Sequence, residues 1–282
     1  VPYYCPTEPS PSRWEFPSTE GIDSDLIGVG ADLEPGTLLE AYRQGIFPMP
    51  LELAEDTPTE LAEETPTTLA EDPPTTLAEE TPTTLAEDTP TELAEDPTSP
   101  YSPSPSEATT LAWWSPNPRG VLFPQDMRQS RSLKRSKRRY RVTVDLEFAA
   151  VVEACRAAHP QGSWITDEMQ TAYETLHKLG WAHSVETWTF AGGLVGGLYG
   201  LTIGQLFVGE SMFTIETDAS KVALATLAED MAEEPGSLID TQWLTTHLAS
   251  LGATEIARPA YEAKIAELVC GPPLKFFTPL LS

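Results

Sequence analysis

The chain predicts an α+β fold, with a small N-terminal domain interrupted by a disordered acidic insert and a larger second domain after it. Three observations carry that expectation. From Tyr140 onward, strand-like runs stand in a group with helical runs on their flanks. Between Leu53 and Pro100 an eight-residue unit, LAEDTPTE and its variants, occurs six times. Each unit sets one Leu and one Ala against acids, threonines and prolines, too little apolar surface to offset the entropy of ordering.

The insert dominates the charge. The 282-residue chain has a formal net charge of −26, and residues 51–100 hold fifteen acidic residues and no basic one, leaving −11 for the rest. Without the insert roughly 230 residues remain, enough for an ordinary core. Cys5, Cys155 and Cys270 are few and scattered, with no C-x-x-C spacing. That pattern argues against a disulfide framework and a structural zinc site, and fits a reducing compartment. No apolar run reaches eighteen residues and no basic-then-apolar leader stands at the start, so the expected location is cytoplasmic, with no membrane partner.

In order, residues 1–20 are Pro- and Ser-rich and read as a flexible tail, and 21–50 as the first part of the N-terminal domain. Within the latter, Pro35 and Gly36 open a helix, Leu38, Leu39 and Tyr42 recur at helical spacing, and Gly45 stops it. The insert, 51–106, contains weak helix starts such as Thr57-Pro58-Thr59-Glu60, each cut short by the next Thr-Pro. Residues 107–125 read as the rest of the N-terminal domain with an aromatic loop, 126–270 as the second domain and 271–282 as a C-terminal tail. In the second domain YRVTVDLEF is strand-like, and EFAAVVEACRAAH and TDEMQTAYETLHKLG are helical. HSVETWTF, LVGGLYGLTI and QLFVGESMF then read as three strands, the first two joined at Ala191-Gly192-Gly193. DASKVALATLAEDMAEE is helical, SLIDTQW a short strand, and RPAYEAKIAELV a last helix.

Several signatures are absent: G-x-x-x-x-G-K-[ST], H-E-x-x-H and G-x-S-x-G. Gly28-Val29-Gly30 begins a G-x-G whose third glycine position holds Leu33, so it reads as a turn. The four histidines, His159, His177, His183 and His247, fall at no metal-ligand spacing. AWWSPNPRGVLFP places two tryptophans beside three prolines, a stiff aromatic loop; taken singly, either tryptophan reads as core. It stands shortly before RQSRSLKRSKRRYR, residues 128–141, which gathers eight of the seventeen Lys and Arg. That run reads either as a solvated face or, with aromatics beside it, as a surface offering cations to phosphates and π-faces to bases. Asp240 and Gln242, at i and i+2, project from one face of a strand. The pair could hold and deprotonate an amine nucleophile, or be a structural polar pair. Glu210, inside an apolar stretch, is a third candidate, since a buried carboxylate usually has a cationic partner.

Taken together, GVGADLEPGTLLEAYRQGIFP, WWSPNPRGVLFP, SRSLKRSKRRYRV, GSWITDEMQTAYETLHKLGWAHSVETW, LVGGLYGLTIGQLFVGESMF, DASKVAL and LIDTQWLTTHLASLGATEI resemble the bacterial leucyl/phenylalanyl-tRNA–protein transferases. The resemblance implies an acetyltransferase-like (GNAT) second domain. It also implies transfer of Leu, Phe or sometimes Met from aminoacyl-tRNA to the α-amino group of proteins beginning with Arg or Lys, marking them for degradation. The coenzyme A loop of the acetyltransferases, [RQ]-x-x-G-x-[GA], is absent, which favours a tRNA-borne donor. Such a donor is an activated ester, so no cofactor and no metal is expected, and the chain is expected to act as a monomer. Asp240 is then expected to take the amine's proton, with Gln242 orienting the reacting groups, the alternative being a proton relay through the ribose hydroxyl of the tRNA. By resemblance, Leu198, Phe207, Met212, Leu227 and Ile239 would line a pocket for the donor side chain, and Trp164, Tyr173 and Glu210 would contact substrates. Arg131, Lys134, Arg135, Lys137 and Arg138 would meet tRNA phosphates. Two positions depart from the family: Met49 stands where Trp is common, and Leu227 where some members have Phe. The rival readings are a non-catalytic tRNA-binding module, which needs neither Asp240 nor Gln242, and an interaction protein whose business is the repeat.

Overall fold

The structure, a computed structural model, describes residues 6–51, 110–158 and 163–277. The acidic repeat, and the disorder expected of it, lie outside the described residues.

The N-terminal residues form more than a helix. Strands β1 (Leu26–Val29), β2 (Phe47–Pro50) and β3 (Leu111–Trp114) make a three-stranded antiparallel sheet in the order β1-β3-β2. Strands of four residues are too short to show a period, which is why the segment reads as helical from sequence. The proline-bearing β2, FPMP, sits at the sheet edge, where missing amide donors cost no ladder bond. Helix α1 (Pro35–Arg43) joins the two edge strands, with proline in its first turn. Its buried residues Leu38, Leu39, Ala41 and Tyr42 form one stripe.

A second sheet of seven strands has the order β10-β4-β9-β8-β7-β6-β5. Its strands are β4 (Arg119–Leu122), β5 (Tyr140–Val144), β6 (Ala182–Thr189), β7 (Leu194–Ile203), β8 (Leu206–Thr214), β9 (Leu238–Gln242) and β10 (Thr254–Ile256). Every pairing is antiparallel except β8 with β9. Helices α2 (Arg131–Ser136), α3 (Phe148–Ala157) and α4 (Asp167–Leu179) precede helix α5 (Ala219–Met231), which is the crossover between those two strands. Helices α6 (Thr246–Ser250) and α7 (Arg258–Leu268) follow β9.

Local chemistry explains the helix ends. In α4 the Thr166 hydroxyl accepts from the Met169 amide, Asp167 and Glu168 fill the first turn, and His177 and Lys178 the last. Gly180, at φ +86°, then turns the chain into the left-handed region.

Two apolar layers result. One holds Tyr42, Phe148, Val151, Tyr173, Leu176, Tyr199 and Tyr261. The other holds α5 with Val222, Leu224 and Leu227 against Leu198, Phe207 and Ile239. Leu274 and Phe277, from the expected C-terminal tail, are buried in this second layer.

Candidate active site

Two β-bulges shape the centre of the large sheet. Between β7 and β8 the register passes from Tyr199 opposite Ser211 to Gly200 opposite Gly209, so Glu210 is the extra residue. Between β4 and β9 it passes from Gly120 opposite Gln242 to Val121 opposite Asp240, so Thr241 is the extra residue. A bulge re-aims the side chains beside it. The parallel ladder of β8 with β9 runs only from Leu206–Leu238 to Val208–Asp240. Just past its last pair, the Gln242 amide Nε2 donates to Glu210 Oε1 at 3.2 Å.

Glu210 is buried. Its Oε1 accepts from the Tyr42 hydroxyl at 2.8 Å and its Oε2 from the Tyr173 hydroxyl at 2.7 Å. The two hydroxyls lie 2.7 Å from one another. These three O···O contacts close a ring, and a full set of hydrogen bonds needs three protons. The tyrosines supply two; the third is present when the carboxyl is protonated. Burial pushes the Glu210 carboxyl up to about 7, against the pull of the Tyr173 and Tyr42 hydrogen bonds, and the charge of Asp240 adds to the rise. The Tyr42 and Tyr173 hydroxyls are pushed well above the usual phenol range, first by burial and then by Glu210.

Asp240, fully buried, sits in a different environment. Arg119 grips it bidentately, Nε to Oδ1 at 2.8 Å and Nη2 to Oδ2 at 2.6 Å. Oδ2 also accepts from the Tyr261 hydroxyl at 2.5 Å, and Oδ1 from the Gln242 amide N–H at 2.8 Å. Arg119 itself lies between the rings of Phe47 and Tyr261, 4.9 and 4.6 Å from their centroids, and donates to the Gly45 carbonyl at 3.0 Å. Burial disfavours its charge, but Asp240 more than offsets this and holds the guanidinium above its usual range. Gln242 stands at φ +62°, a conformation few side-chain-bearing residues adopt, and its amide bond to Asp240 fixes it there. At Gly120 a Cβ would meet the Leu244 amide at 2.8 Å, so the neighbouring strand admits only glycine.

The expected site residues thus fall into three groups. Tyr173, Glu210, Asp240 and Gln242 come together with Tyr42, Arg119 and Tyr261, while Trp164 packs partly buried at the edge of the same layer. Leu198, Phe207, Met212 and Ile239 gather in the other layer beneath α5, which itself contributes Leu227. There Phe207 stacks on Phe277, with ring centroids 5.6 Å apart. Arg131, Lys134, Arg135 and Arg138 are exposed on α2 and the turn after it. Lys137 is ion-paired with Glu229. Buried Leu133 and Ser136, the latter donating to Asp218 at 2.9 Å, dock that face on the second layer.

The stretch 112–124, expected as an aromatic loop, instead holds strand β3 and strand β4. Trp113 is core and donates its indole N–H to the Gly30 carbonyl at 2.8 Å, and Trp114 donates to the Met49 carbonyl at 3.2 Å. The register of the small sheet, not proximity to the basic run, decides their place. Tyr42, Arg119 and Tyr261 went unrecognised in the sequence. Tyr42 and Tyr261 occupy apolar helix faces and read as core; a lone Arg119 leading the apolar run Gly-Val-Leu-Phe was the one available signal. Among the described residues, no group of three or more His, Cys, Asp and Glu side chains is placed to hold a metal ion.

The sequence profile of the leucyl/phenylalanyl-tRNA protein transferases matches residues 121–266, and the profile of that family's N-terminal domain matches residues 31–58. The leucyl/phenylalanyl-tRNA–protein transferase of Dechloromonas aromatica (strain RCB) is 38% identical over 277 residues, 95% of this chain and 92% of the relative. Its counterpart from Pseudomonas fluorescens (strain Pf0-1) is 52% identical over 165 residues, 57% of this chain and 73% of the relative. Among solved structures, L-PGS from Bacillus licheniformis superposes with a TM-score of 0.35 at 8% identity, over 54% of this chain and 65% of that one, a likeness too slight to define the fold. The chain belongs to the leucyl/phenylalanyl-tRNA protein transferase family.

Proposed function

We infer that this protein is an aminoacyltransferase that moves Leu or Phe, and also Met, from aminoacyl-tRNA to the α-amino group of proteins with N-terminal Arg or Lys, marking them for degradation. The observation that carries this reading is the family match over 121–266, which spans Glu210, Asp240 and Gln242. A donor of this kind exists where translation occurs, which is why we place the enzyme in the cytoplasm. One parallel pair, β8 with β9, among antiparallel strands supports an acetyltransferase-like assignment for the second domain.

The reaction is ester aminolysis. The acceptor nitrogen attacks the ester carbonyl carbon, the bond to the ribose oxygen breaks, and the proton lost by nitrogen ends on that oxygen. An α-amine with a pKa of about 7.7–8.0 is partly neutral near pH 7, whereas a Lys side chain near 10.4 is almost wholly charged. Selecting an N-terminus is therefore built into the chemistry, and positioning supplies much of the acceleration.

In our reading the apolar layer, with Leu198, Phe207, Met212, Leu227 and Ile239, takes the donor side chain, and the polar cluster takes the amine and the ester. Weak discrimination among similar apolar volumes explains acceptance of Leu, Phe and Met together. Asp240 already accepts four hydrogen bonds, so its role shifts from open base to anchor: it fixes the strained backbone of Gln242 and thereby aims its amide. Glu210, which changes protonation near neutrality, is the group placed to exchange a proton with the reacting amine. The basic face on α2 meets tRNA phosphates without reading sequence.

The test is transfer of labelled Leu from Leu-tRNA to a protein bearing N-terminal Arg. Label should appear on the α-amino group of that protein and not on a copy beginning with an acidic residue. No transfer to either protein would overturn the reading.

A further inference from the structure

Two large apolar side chains stand in water at one end of the seven-stranded sheet. Phe190 is 78% exposed and Ile215 is 71% exposed. Phe190 lies on the turn between β6 and β7, and that turn is well held. The Thr189 amide donates to the Gly193 carbonyl at 2.8 Å, the Gly192 amide to the Thr189 carbonyl at 3.0 Å, and the Gly193 amide to the Thr189 hydroxyl at 3.0 Å. Gly192, at φ +93°, permits the tight return. An exposed ring on a fixed turn loses little freedom when something covers it.

The surroundings indicate what covers it. Thr189 pairs with Tyr140 at the start of β5, so the turn carrying Phe190 adjoins the end of the basic run at Arg138 and Arg139, and Arg141 pairs with Trp188. All three arginines are exposed. Ile215 is tied to the same end, its amide donating to the Val195 carbonyl at 2.7 Å. The Tyr140 hydroxyl bonds the Thr217 carbonyl at 3.0 Å, which brings the turn carrying Ile215 against the basic run. Strand spacing puts Ile215 roughly 10 Å from the hairpin tip. The acids at this end are engaged: Glu216 accepts from Tyr140 at 3.2 Å, and Asp218 from Ser136 at 2.9 Å. Thr214, where β8 ends, is four residues or about 13 Å along that strand from Glu210, a distance the acceptor arm of an RNA readily spans.

An exposed aromatic ring beside a run of exposed arginines suits a polyanion with exposed bases better than an apolar protein surface. We propose that Phe190, with Ile215 beside it, stacks on an exposed base of the donor RNA and extends the phosphate-binding face of α2 around the sheet end. The proposal rests on the aminoacyl-tRNA reading above. It adds an uncharged contact to an interface that the basic run alone would make purely electrostatic.

The two kinds of contact separate by salt. Binding of donor tRNA to the full chain is measured between about 50 and 200 mM salt. Phe190→Ala should weaken binding about 5- to 20-fold with the slope of log affinity against log salt unchanged, and Phe190→Trp should restore it. Arg139→Ala should lower that slope by somewhat under one. Because Phe190 is exposed, its variants should melt with the wild type, and transfer from a minimal leucyl-adenosine donor should be unaltered. Unchanged tRNA affinity in Phe190→Ala overturns the proposal, as does a loss seen only as a raised KM for the acceptor protein. A wild-type chain that binds no tRNA overturns the transferase reading itself and this proposal with it.

Discussion

On one side of the seven-stranded sheet, Phe207 and Ile239 lie in an apolar layer under α5; a few residues along the same two strands, Glu210 and Gln242 face a buried polar cluster. The strands are shared and the environments are opposite. Phe207 and Glu210, like Ile239 and Gln242, stand three residues apart, so alternation along the strand sends them to opposite faces, and the bulges at Glu210 and Thr241 shift the register at the polar cluster itself. Under the proposed function, the apolar side would sort donors only by volume, which is worth about 1–3 kcal/mol per methylene. The polar side holds charges and protons out of water, where removing a partner is far more costly. Side-chain recognition and proton handling, as proposed above, would then need no separate domains, only the two faces of shared strands.

If the polar face depends on pairing, its largest response is to loss of Arg119. Arg119→Met leaves Asp240 buried with only Tyr261 and the Gln242 amide, and should destabilise the fold by about 3–5 kcal/mol in urea unfolding. The double variant Arg119→Met, Asp240→Leu should recover much of that loss. An equal or larger loss in the double variant would mean that packing rather than charge holds this face.

Next in size is the response to pH. The folded Glu210 carboxyl, at about 7, lies above its ordinary value of 4.5. A raised carboxyl binds its proton more tightly in the folded state. Its contribution is full below the unfolded value and is lost as pH rises through about 7, to the extent of about 3 kcal/mol. Stability should therefore fall between pH 5 and 8 (about the window of that shift), and Glu210→Gln should flatten the fall. A wild-type curve already flat there would place the carboxylate in a more polar setting than the ring of hydroxyls provides.

The apolar face should answer more mildly. Phe277 stacks on Phe207 and on His183, with centroids 5.6 and 4.4 Å apart. Phe277→Leu should cost about 1 kcal/mol of stability, read as a shift in the urea midpoint with an unchanged slope. It should also loosen the floor under Phe207 and relax donor choice.

Sequence reasoning reached this site unevenly, for physical reasons. Glu210, Asp240 and Gln242 were legible because a charged or amide group inside an apolar run demands a partner. Tyr42, Arg119 and Tyr261 were not, since an aromatic on a helix's apolar stripe is indistinguishable from core until its hydroxyl is seen to bond. The layer that Met212 joins was also hidden. Counting by twos along β8 sends Glu210 to the side of Val208 and Met212 alike, yet Val208 and Met212 lie in different layers because the bulge intervenes. The strands of the small sheet, four residues each and rich in proline and tryptophan, carried no period at all.

Under the proposed function, proton handling and donor recognition occupy opposite faces of one sheet. Single-turnover transfer of Leu and of Phe, compared in Gln242→Gly and Leu227→Phe, tests it directly. Glycine suits the backbone at φ +62° and removes only the side chain, so folding should hold while transfer of both donors drops at least about tenfold by the same factor. Leu227→Phe should leave the faster donor near its wild-type rate and shift the Leu-to-Phe ratio by up to about tenfold. A changed ratio in Gln242→Gly, together with an equal fall for both donors in Leu227→Phe, would contradict the account.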